Sequence, residues 1–330
     1  TGYVEHGRGV EALRCFEIMQ TEGVFPNPVT YVSILRACGV VGDLDMGIRI
    51  HKDIVKQGFL GKEDEEIMIG NALIDMYAKC GVVTKAAQVL EELQVRDKVS
   101  WNTLIIGYIH QGDDREGLNC FQCMQSEGFC LNTIIIVYIL KACGNIGFVE
   151  KGQEIHEEIV GRGLGNDLVL GNALINMYVK CGAFHKGEEV FQGLLDKDIG
   201  SFHPLLARYA QEGQTEDALK CFESMRSQCI YWDAFTLSCI LRACTSIGDI
   251  KKGKQIHTEI VSNKLLWKDN GLRMVLIEMY AKWGMVSEAE KILRWLPLCD
   301  IDCWSHLITG YCLLGQSKEA LACFEEMENE

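Results

Sequence analysis

The sequence repeats itself with a period of about 101 residues, and this period limits what the chain can fold into. The segments Ile69–Gly81, Leu170–Gly182 and Met274–Gly284 share the pattern Leu-Ile-x-Met-Tyr-x-Lys-x-Gly. A second set, Ile34–Cys38, Ile139–Cys143 and Ile240–Cys244, reads Ile-Leu-Arg/Lys-Ala-Cys. A chain with such a period builds an array of similar units that bury their apolar faces against their neighbours.

Each period divides into a long, a short and a standard unit. The predicted repeats are 28–66, 67–97, 98–132, 133–167, 168–198, 199–233, 234–269 and 270–300, with partial repeats at 1–27 and 301–330. The fifteenth position is glycine in all ten units: Gly7, Gly42, Gly81, Gly112, Gly147, Gly182, Gly213, Gly248, Gly284 and Gly315. Glycine tolerates the left-handed backbone that ends a helix, so the pattern predicts a helix, a tight turn and a second helix.

Apolar residues at helical spacing define the two helices of a unit. In the unit 98–132, helix A is predicted over Val99–Gln111 and helix B over Asp114–Ser126. Neither helix can bury its apolar face alone. The predicted fold is therefore all-α: a right-handed α-solenoid, or superhelix, of stacked helix-turn-helix repeats. Residues 1–330 are expected to form one array with helix A on its concave side, and to belong to a longer protein because both ends fall inside a repeat.

Composition excludes several classes of protein. The formal net charge of -14 argues against a generic electrostatic binder of nucleic acid and against a basic membrane-surface protein. The sequence contains no uncharged apolar run of about 18 residues, so no membrane partner is expected. Sixteen cysteines in a chain of this size predict reduced thiols in an intracellular or organellar protein, since their spacing follows the repeats.

Charge is divided unevenly between the helices. The predicted helix-A segments contain nine basic and five acidic residues and carry +4, which leaves -18 for the remainder of the chain. Lys79, Lys180 and Lys282 share one repeat position and are candidates for contacts with backbone phosphate. Solvated helix faces are the alternative interpretation of the same charges.

Three segments carry a resemblance to a known family: Trp101–Tyr108, Asn172–Gly182 and Lys252–His257. At these residues the chain resembles the pentatricopeptide repeat family, in its class with alternating standard, long and short repeats. The tetratricopeptide array is the nearest rival, but its uniform 34-residue period does not fit units of 31, 35 and 36 residues.

The resemblance implies single-stranded RNA as the partner, with one base facing each repeat. The fifth and the last residue of a repeat reach the Watson–Crick edge of the base, and the second residue stacks on it. The implied readout pairs are Asn71 with Asp97, Asn102 with Asn132, Asn172 with Asp198, and His203 with Asp233. The implied stacking residues are Met68, Val99, Ile134 and Val169.

By the family rule, an Asn–Asp pair prefers U, and an Asn–Asn pair prefers C and then U. The central repeats are therefore expected to read a 5′-U-pyrimidine-N-U-3′ element. His203, Met274 with Asp300, and the glycines Gly200 and Gly271 depart from the family pattern. Base readout by the family rule is expected from residues 67–198.

Some segments resemble the zinc site of a cytidine deaminase, namely His156-Glu-Glu158, His257-Thr-Glu259 and Cys120–Cys123. His51, His156 and His257 occupy one repeat position, and no Pro-Cys-x-x-Cys follows, so neither a metal nor a cofactor is expected. No enzyme is predicted in this chain.

The expected role is RNA recognition within a mitochondrial or chloroplast factor for RNA editing, modification or processing. Catalysis would come from a deaminase extension or a partner such as an editing enzyme. A protein-binding scaffold is the alternative.

Overall fold

A computed structural model describes residues 2–60, 63–262, 269–294 and 301–329. The described chain divides into two compact units, Thr1–Phe184 and His185–Glu330. Asp300, which the repeat pattern pairs with Met274, and the repeat boundary at that residue lie outside the described ranges. Repeat 28–66 is longer than the other long repeats because of extra residues around Gly61–Glu66, and Gly61 and Lys62 also lie outside those ranges.

All regular secondary structure in these ranges is helical. The first unit contains α1 (Gly2–Glu5), α2 (Gly9–Thr21), α3 (Pro28–Val41), α4 (Leu44–Lys56), α5 (Glu63–Lys79), α6 (Val83–Glu92), α7 (Lys98–Gln111), α8 (Asp114–Ser126), α9 (Thr133–Ile146), α10 (Val149–Gly161) and α11 (Leu168–Lys180). Helix α12 (Phe184–Gly193) begins at the boundary. The second unit continues with α13 (Ile199–Glu212), α14 (Thr215–Ser227), α15 (Ala234–Ile247), α16 (Ile250–Ser262), α17 (Asn270–Lys282), α18 (Val286–Arg294), α19 (Ile301–Leu313) and α20 (Ser317–Asn329).

Odd-numbered helices correspond to helix A and even-numbered helices to helix B. Most helices A begin directly after an Asn or Asp with extended backbone, whose side chain accepts a hydrogen bond from a backbone N–H in the first turn. These N-caps are Asn27, Asp97, Asn132, Asp167, Asp198, Asp233 and Asp269. The last residue of each of these predicted repeats is therefore also the N-cap of the next helix A.

The turn between the two helices follows the glycine pattern. Every fifteenth-position glycine has a positive φ, between 69° and 85°. At Gly112, φ is 85° and the N–H bonds back to the carbonyl groups of Tyr108 and Ile109, which closes helix α7 before α8 begins. Because this backbone conformation disfavours a Cβ atom, the glycine defines where helix A ends.

Within each unit, the helices A pack side by side. In the first unit α3 contacts α5, α5 contacts α7, α7 contacts α9, and α9 contacts α11. In the second unit α13 contacts α15, α15 contacts α17, and α17 contacts α19. Apolar residues of helix A such as Leu73, Ile105 and Leu237 are fully buried in this layer. Burial of one such side chain contributes about 1.5–3 kcal/mol, so each hairpin depends on its neighbours for stability.

Helix α5 begins at Glu63, four residues before the predicted start of its repeat. Acidic residues near a helix N-terminus are favourable because they interact with the helix dipole. Glu66, the last residue of repeat 28–66, consequently lies inside α5 and is only 2% exposed. Its Oε1 accepts a hydrogen bond from the Gln94 N–H at 2.8 Å, so it serves packing within its own hairpin.

Two general features of the described chain bear on function. None of its helices combines the length and the apolar character needed to cross a bilayer. Its fifteen described cysteines are free thiols, and burial raises the pKa of Cys38 and of Cys143 to about 12. Cys38 and Cys143 therefore remain protonated near neutral pH and act as small apolar side chains.

Candidate nucleic-acid interface

The second, fifth and ninth residues of a repeat lie on one face of helix A. Residues three and four positions apart are neighbours on a helix surface. In helix α9, for example, Ile134, Val137 and Lys141 follow this spacing and are exposed or half-buried. Because the helices A of the first unit pack side by side, these positions recur from one helix to the next.

The second-position residues form a series of exposed apolar side chains. Val29, Met68, Val99, Ile134 and Val169 are between 38% and 61% exposed, and all lie in the first unit. Phe235 in the second unit is 43% exposed. An apolar residue at the same exposed position of successive repeats does not serve the core, and it is available to stack on a ligand.

Asn71 and Asp97 form a hydrogen-bonded pair in the first unit. Asn71 Nδ2 donates to both carboxylate oxygens of Asp97, at 3.3 and 3.4 Å. The hydroxyl of Ser100 donates to Asn71 Oδ1 at 2.5 Å. The structure thus brings this predicted pair together, and it adds Ser100, which the repeat pattern did not single out as a site residue.

Asn102 and Asn132 are arranged differently. Asn132 is exposed and caps α9, with its Oδ1 accepting from Ile135 N–H at 2.8 Å. Asn102 is half-buried, and its Oδ1 has no hydrogen-bond partner within the described residues. The two asparagines also share no hydrogen bond in that part of the chain, so the buried Asn102 Oδ1 is not held by its predicted partner.

Asn172 and Asp198 belong to different units and are described separately. Asn172 is half-buried on α11 in the first unit. Asp198 caps α13 in the second unit and accepts a hydrogen bond from Ser201 N–H at 3.0 Å. Each side chain occupies the same helix position as its counterpart in the Asn71–Asp97 pair.

His203 and Asp233 form a polar pair in the second unit. His203 Nε2 lies 3.2 Å from Asp233 Oδ1 and 3.3 Å from the Thr236 hydroxyl. Burial alone would raise the pKa of Asp233, but the Thr236 N–H and the adjacent His203 lower it overall. The His203 ring also meets the ring of Phe235 edge-on, with centroids 4.9 Å apart. The fifth position of one repeat therefore contacts the second position of the next.

The lysines predicted to contact phosphate are exposed, and each already interacts with a neighbouring side chain. Lys79 Nζ lies 2.7 Å from Asp75, and Lys282 Nζ lies 2.8 Å from Glu278, in both cases one turn away on the same helix. Lys180 donates to Asn145 Oδ1 at 3.0 Å. Exposed ion pairs of this kind are worth about 0–1 kcal/mol, so a phosphate can displace the acidic partner.

Three other basic residues were not selected from the sequence as site residues. Arg36, Lys141 and Arg242 occupy the ninth position of the three long repeats and are exposed. No ion pair involves them within the described chain. Their shared position, one turn after the fifth residue, was the signal that could have identified them.

The histidines that resemble zinc ligands have a structural explanation. The Nδ1 atoms of His51, His156 and His257 lie 2.8–2.9 Å from the hydroxyls of Tyr77, Tyr178 and Tyr280 on the adjacent helix A. Over the described ranges, no cluster of three or more His, Cys, Asp or Glu side chains is placed to hold a metal ion.

Comparison with known proteins identifies the family. The PPR repeat family matches residues 71–97, 99–129, 172–199, 201–230, 274–294 and 302–330, about half of the chain. The pentatricopeptide repeat domain family matches residues 1–59. The chain belongs to the pentatricopeptide repeat family. The predicted family membership is thereby confirmed, while the alternating repeat class stays a prediction.

Other pentatricopeptide repeat proteins are similar over nearly the whole chain. A mitochondrial member of Arabidopsis thaliana is 31% identical over 327 residues, which cover 99% of this chain and 31% of that protein. A chloroplastic member of the same plant is 32% identical over 327 residues, covering 99% of this chain and 40% of that protein. The chain thus spans well under two thirds of the length of these relatives.

A solved pentatricopeptide repeat structure confirms the fold. The crystal structure of PPR10 in complex with an 18-nucleotide psaJ RNA element matches with a TM-score of 0.69 at 21% identity. The match covers 99% of this chain and 54% of PPR10. The expected all-α solenoid of stacked helical hairpins is correct.

Proposed function

We propose that this pentatricopeptide repeat chain binds single-stranded RNA sequence-specifically, with one base facing each repeat. The observation that carries the proposal is the Asn71–Asp97 pair beside the exposed apolar residues Met68 and Val99. A polar pair flanked by apolar surface is suited to a base, which has a hydrogen-bonding edge and two apolar faces. PPR10, which shares this fold, was crystallised in complex with RNA.

The amide of Asn71 keeps groups with which to bind a base. The two Asp97 oxygens share one amide hydrogen, and Ser100 donates to one lone pair of Oδ1, so one hydrogen and one lone pair are left. A donor beside an acceptor matches the alternating carbonyl and N–H groups of a pyrimidine edge. Each such contact contributes about 1–3 kcal/mol of discrimination, by analogy with bidentate readout in DNA. This chemistry supports U at the repeats with Asn71 and Asn172, and C or U at the repeat with Asn102.

The chain is in our proposal the recognition part of a longer organellar factor for RNA editing, modification or processing. The named locations of the related proteins, mitochondrial and chloroplastic, support an organelle. Catalysis comes from another segment of that protein or from a partner such as an editing enzyme. In this arrangement the repeats position the transcript and take no part in the chemistry.

The proposal is tested by titrating the chain with labelled RNAs at moderate salt. We expect a strand with a 5′-UCAU-3′ element to bind more tightly than oligoadenylate, and a duplex of the same sequence to bind poorly. Equal affinity for all strands, or no binding, would contradict the proposal. A stable complex with protein partners and no sequence preference would favour the scaffold alternative.

Substitutions assign the readout to particular residues. Asn71→Ala and Asn172→Ala should each remove discrimination at one U position, and the loss should be about 1–3 kcal/mol. Asn119→Ala is the matched control, because Asn119 is exposed on helix α8 and, among the described residues, its side chain bonds to Glu116 on the same helix. Equal discrimination by the three variants and the wild type would exclude the assigned pairs.

A further inference from the structure

A buried hydroxyl lies beside the base-facing residue of some repeats and is absent from others. Ser100 is 0% exposed, and its Oγ lies 2.5 Å from Asn71 Oδ1 and 2.9 Å from Asp97 Oδ1. Ser100 is the third residue of the repeat that follows the Asn71–Asp97 pair. The hydroxyl therefore belongs to a different repeat from the asparagine that it contacts.

The contacts of Ser100 orient the Asn71 amide. Asp97 Oδ1 already accepts hydrogen bonds from the N–H groups of Val99 and Ser100, at 2.9 and 2.8 Å. The single hydroxyl hydrogen of Ser100 is therefore assigned to Asn71 Oδ1, which lies at 2.5 Å, nearer than Asp97 Oδ1 at 2.9 Å. The Asp97 carboxylate accepts from the amide, so it holds the Asn71 nitrogen toward Asp97 while Ser100 holds the Asn71 oxygen. Together the two residues define which atom of Asn71 is donor and which is acceptor.

The second unit contains an independent example. Thr236 is 0% exposed and is the third residue of the repeat that follows His203 and Asp233. Its Oγ1 lies 3.3 Å from His203 Nε2 and 3.0 Å from Asp233 Oδ1. The base-facing side chain differs in this repeat, yet the same hydroxyl position contacts it.

In most repeats, the fifth residue and the third residue of the following repeat are either both polar or both without a hydrogen-bonding hydroxyl or amide. A polar fifth residue is followed by a hydroxyl in Asn71 with Ser100, Asn172 with Ser201, and His203 with Thr236. An apolar fifth residue is followed by a residue without a hydroxyl in Val32 with Ile69, Val137 with Leu170, and Met274 with Cys303. The two exceptions are Asn102 with Ile135 and Ser238 with Leu272.

The exception at Asn102 shows what the missing hydroxyl changes. Ile135, which is 0% exposed, takes the place of Ser100, and among the described residues Asn102 Oδ1 is buried without a hydrogen-bond partner. Asn71 and Asn102 are thus both asparagines at the fifth position of a repeat. The amide oxygen of Asn71 accepts a hydrogen bond, whereas that of Asn102 has no partner among the described residues.

We propose that the third residue of the following repeat is a positioning residue for base readout. A hydroxyl there holds the base-facing side chain in one orientation, and an apolar residue leaves that orientation free. The inference rests on the proposed RNA binding and adds a specificity determinant to it. It follows that the repeat with Asn71 discriminates between bases more sharply than the repeat with Asn102.

The test measures dissociation constants of the full chain for synthetic single-stranded RNAs. The probes carry 5′-UCAU-3′ in an oligoadenylate and differ by one U-to-C or C-to-U change at the nucleotide facing repeat 67–97, 98–132 or 168–198. Ser100→Ala should reduce discrimination about fivefold at the first nucleotide alone, as loss of one hydrogen bond predicts. Ser100→Thr keeps the hydroxyl and should preserve the wild-type ratio.

Ile135→Thr is the converse variant, because it adds a hydroxyl where the repeat with Asn102 lacks one. It tests the positioning role even if Ser100→Ala does not fold. It should raise discrimination about fivefold at the nucleotide facing repeat 98–132. Unchanged ratios in both Ser100→Ala and Ile135→Thr would overturn the positioning role while leaving RNA binding intact. An equal loss at all three nucleotides would overturn it in favour of a purely structural role. A wild-type chain without any discrimination would overturn the proposed function itself.

Discussion

At the scale of single residues, Cys229 is the one described non-glycine residue with a positive φ, which is 54°. It occupies the thirty-first position of its repeat, where Gly23, Gly58, Gly128 and Gly163 also have positive φ. A Cβ atom in this conformation costs about 1–2 kcal/mol. The position follows helix B and permits the chain to turn toward the next repeat.

We therefore expect Cys229→Gly to stabilise the protein by about 0.5–1 kcal/mol, after allowance for the greater freedom of glycine in the unfolded chain. Gly128→Cys is the matched reverse substitution, and nothing lies within 4 Å of the Cβ that it would add. It should cost about 1 kcal/mol through backbone strain alone. Chemical unfolding measures both, and a destabilised Cys229→Gly variant would refute the strain at this residue.

His51 and His257 make stability depend on pH. Burial lowers the pKa of both imidazoles, although Glu92 and Glu288 oppose the shift at His51 and His257 respectively, while Lys85 adds to it at His51. The Nε2 atom of each ring is buried and lacks a hydrogen-bond partner among the described residues. Protonation would therefore place an N–H group on a buried nitrogen that has no hydrogen-bond acceptor in that part of the chain.

Below the unfolded value of about 6.5, the unfolded chain binds protons that the folded chain does not. Stability contributed by these histidines is thus present above pH 6.5 and is lost as the pH falls toward the lower folded pKa. The double variant His51→Asn/His257→Asn should lose less stability than the wild type between pH 7 and pH 5.5. Thermal unfolding at the two pH values provides the measurement, and an equal loss in both proteins would contradict the assignment.

At the scale of helices, neighbouring helices A approach closely at a small residue. A Cβ atom added to Gly310 on α19 would lie 2.8 Å from the Cβ of Ala281 on α17 and 2.9 Å from Val286. Gly107 on α7 has the same relation to Ala78 on α5, with a Cβ distance of 3.0 Å. Neither neighbouring methyl group belongs to a flexible side chain that could move away, so the helices themselves must separate.

Gly310→Ala should consequently destabilise the protein by about 1–2 kcal/mol, because overpacking outweighs the better helix propensity of alanine. Gly161→Ala on α10 is the control, since nothing lies within 4 Å of the added Cβ. That variant should be neutral or more stable by up to about 1 kcal/mol. Urea unfolding distinguishes the two, and a Gly310→Ala variant as stable as the control would exclude the close approach.

Most helix boundaries could be predicted from the sequence because each has a local chemical cause. Helix α7 lies between the N-cap Asp97 and the left-handed Gly112, and both residue types can be recognised as helix ends in the sequence alone. The early start of α5 at Glu63 could not be predicted, since the acidic segment before residue 67 resembles an insertion in the loop. Repeat comparison assigns such extra residues to a loop, whereas local helix propensity extended the helix.

The candidate site was predictable to a different degree. Family resemblance supplied the positions of Asn71, Asp97 and the apolar second residues, and the structure shows the first two in contact. Ser100 was missed because a serine at that position is already explained as part of a capping box. Its contact with Asn71 crosses from one repeat to the next, and such contacts depend on how the hairpins stack.

At the scale of the whole molecule, the proposed RNA binding has to occur despite the net charge of -14. Arg36, Lys141 and Arg242 are exposed and carry no ion pair in the described chain, whereas Lys79 and Lys282 are paired with acidic residues. A plot of log K against log salt has a negative slope, to which each phosphate contact on a single strand contributes about -0.7. Replacing all three of Arg36, Lys141 and Arg242 by Gln should therefore make the slope less negative by about 2.

The same triple variant should weaken binding to every sequence by a similar factor, because phosphate contacts carry no base preference. Lys79→Gln with Lys282→Gln is the comparison, and it should change the slope by less than about 1.4, the change that the loss of two phosphate contacts would give. Fluorescence anisotropy over a range of salt concentrations gives both slopes. A larger effect from the paired lysines would reassign the phosphate contacts to the positions first predicted from the sequence.

Asp97→Asn offers the sharpest experiment on base readout. Asparagine caps a helix as well as aspartate does, and Asn132 already caps α9 in this way, so the fold should be retained. The variant gives repeat 67–97 the pair found in repeat 98–132. Measured on RNAs that differ at a single nucleotide, its preference facing that repeat should move from U toward C and stay unchanged at the other nucleotides. An unaltered preference, or a uniform change at all nucleotides, would contradict readout of one base by each repeat.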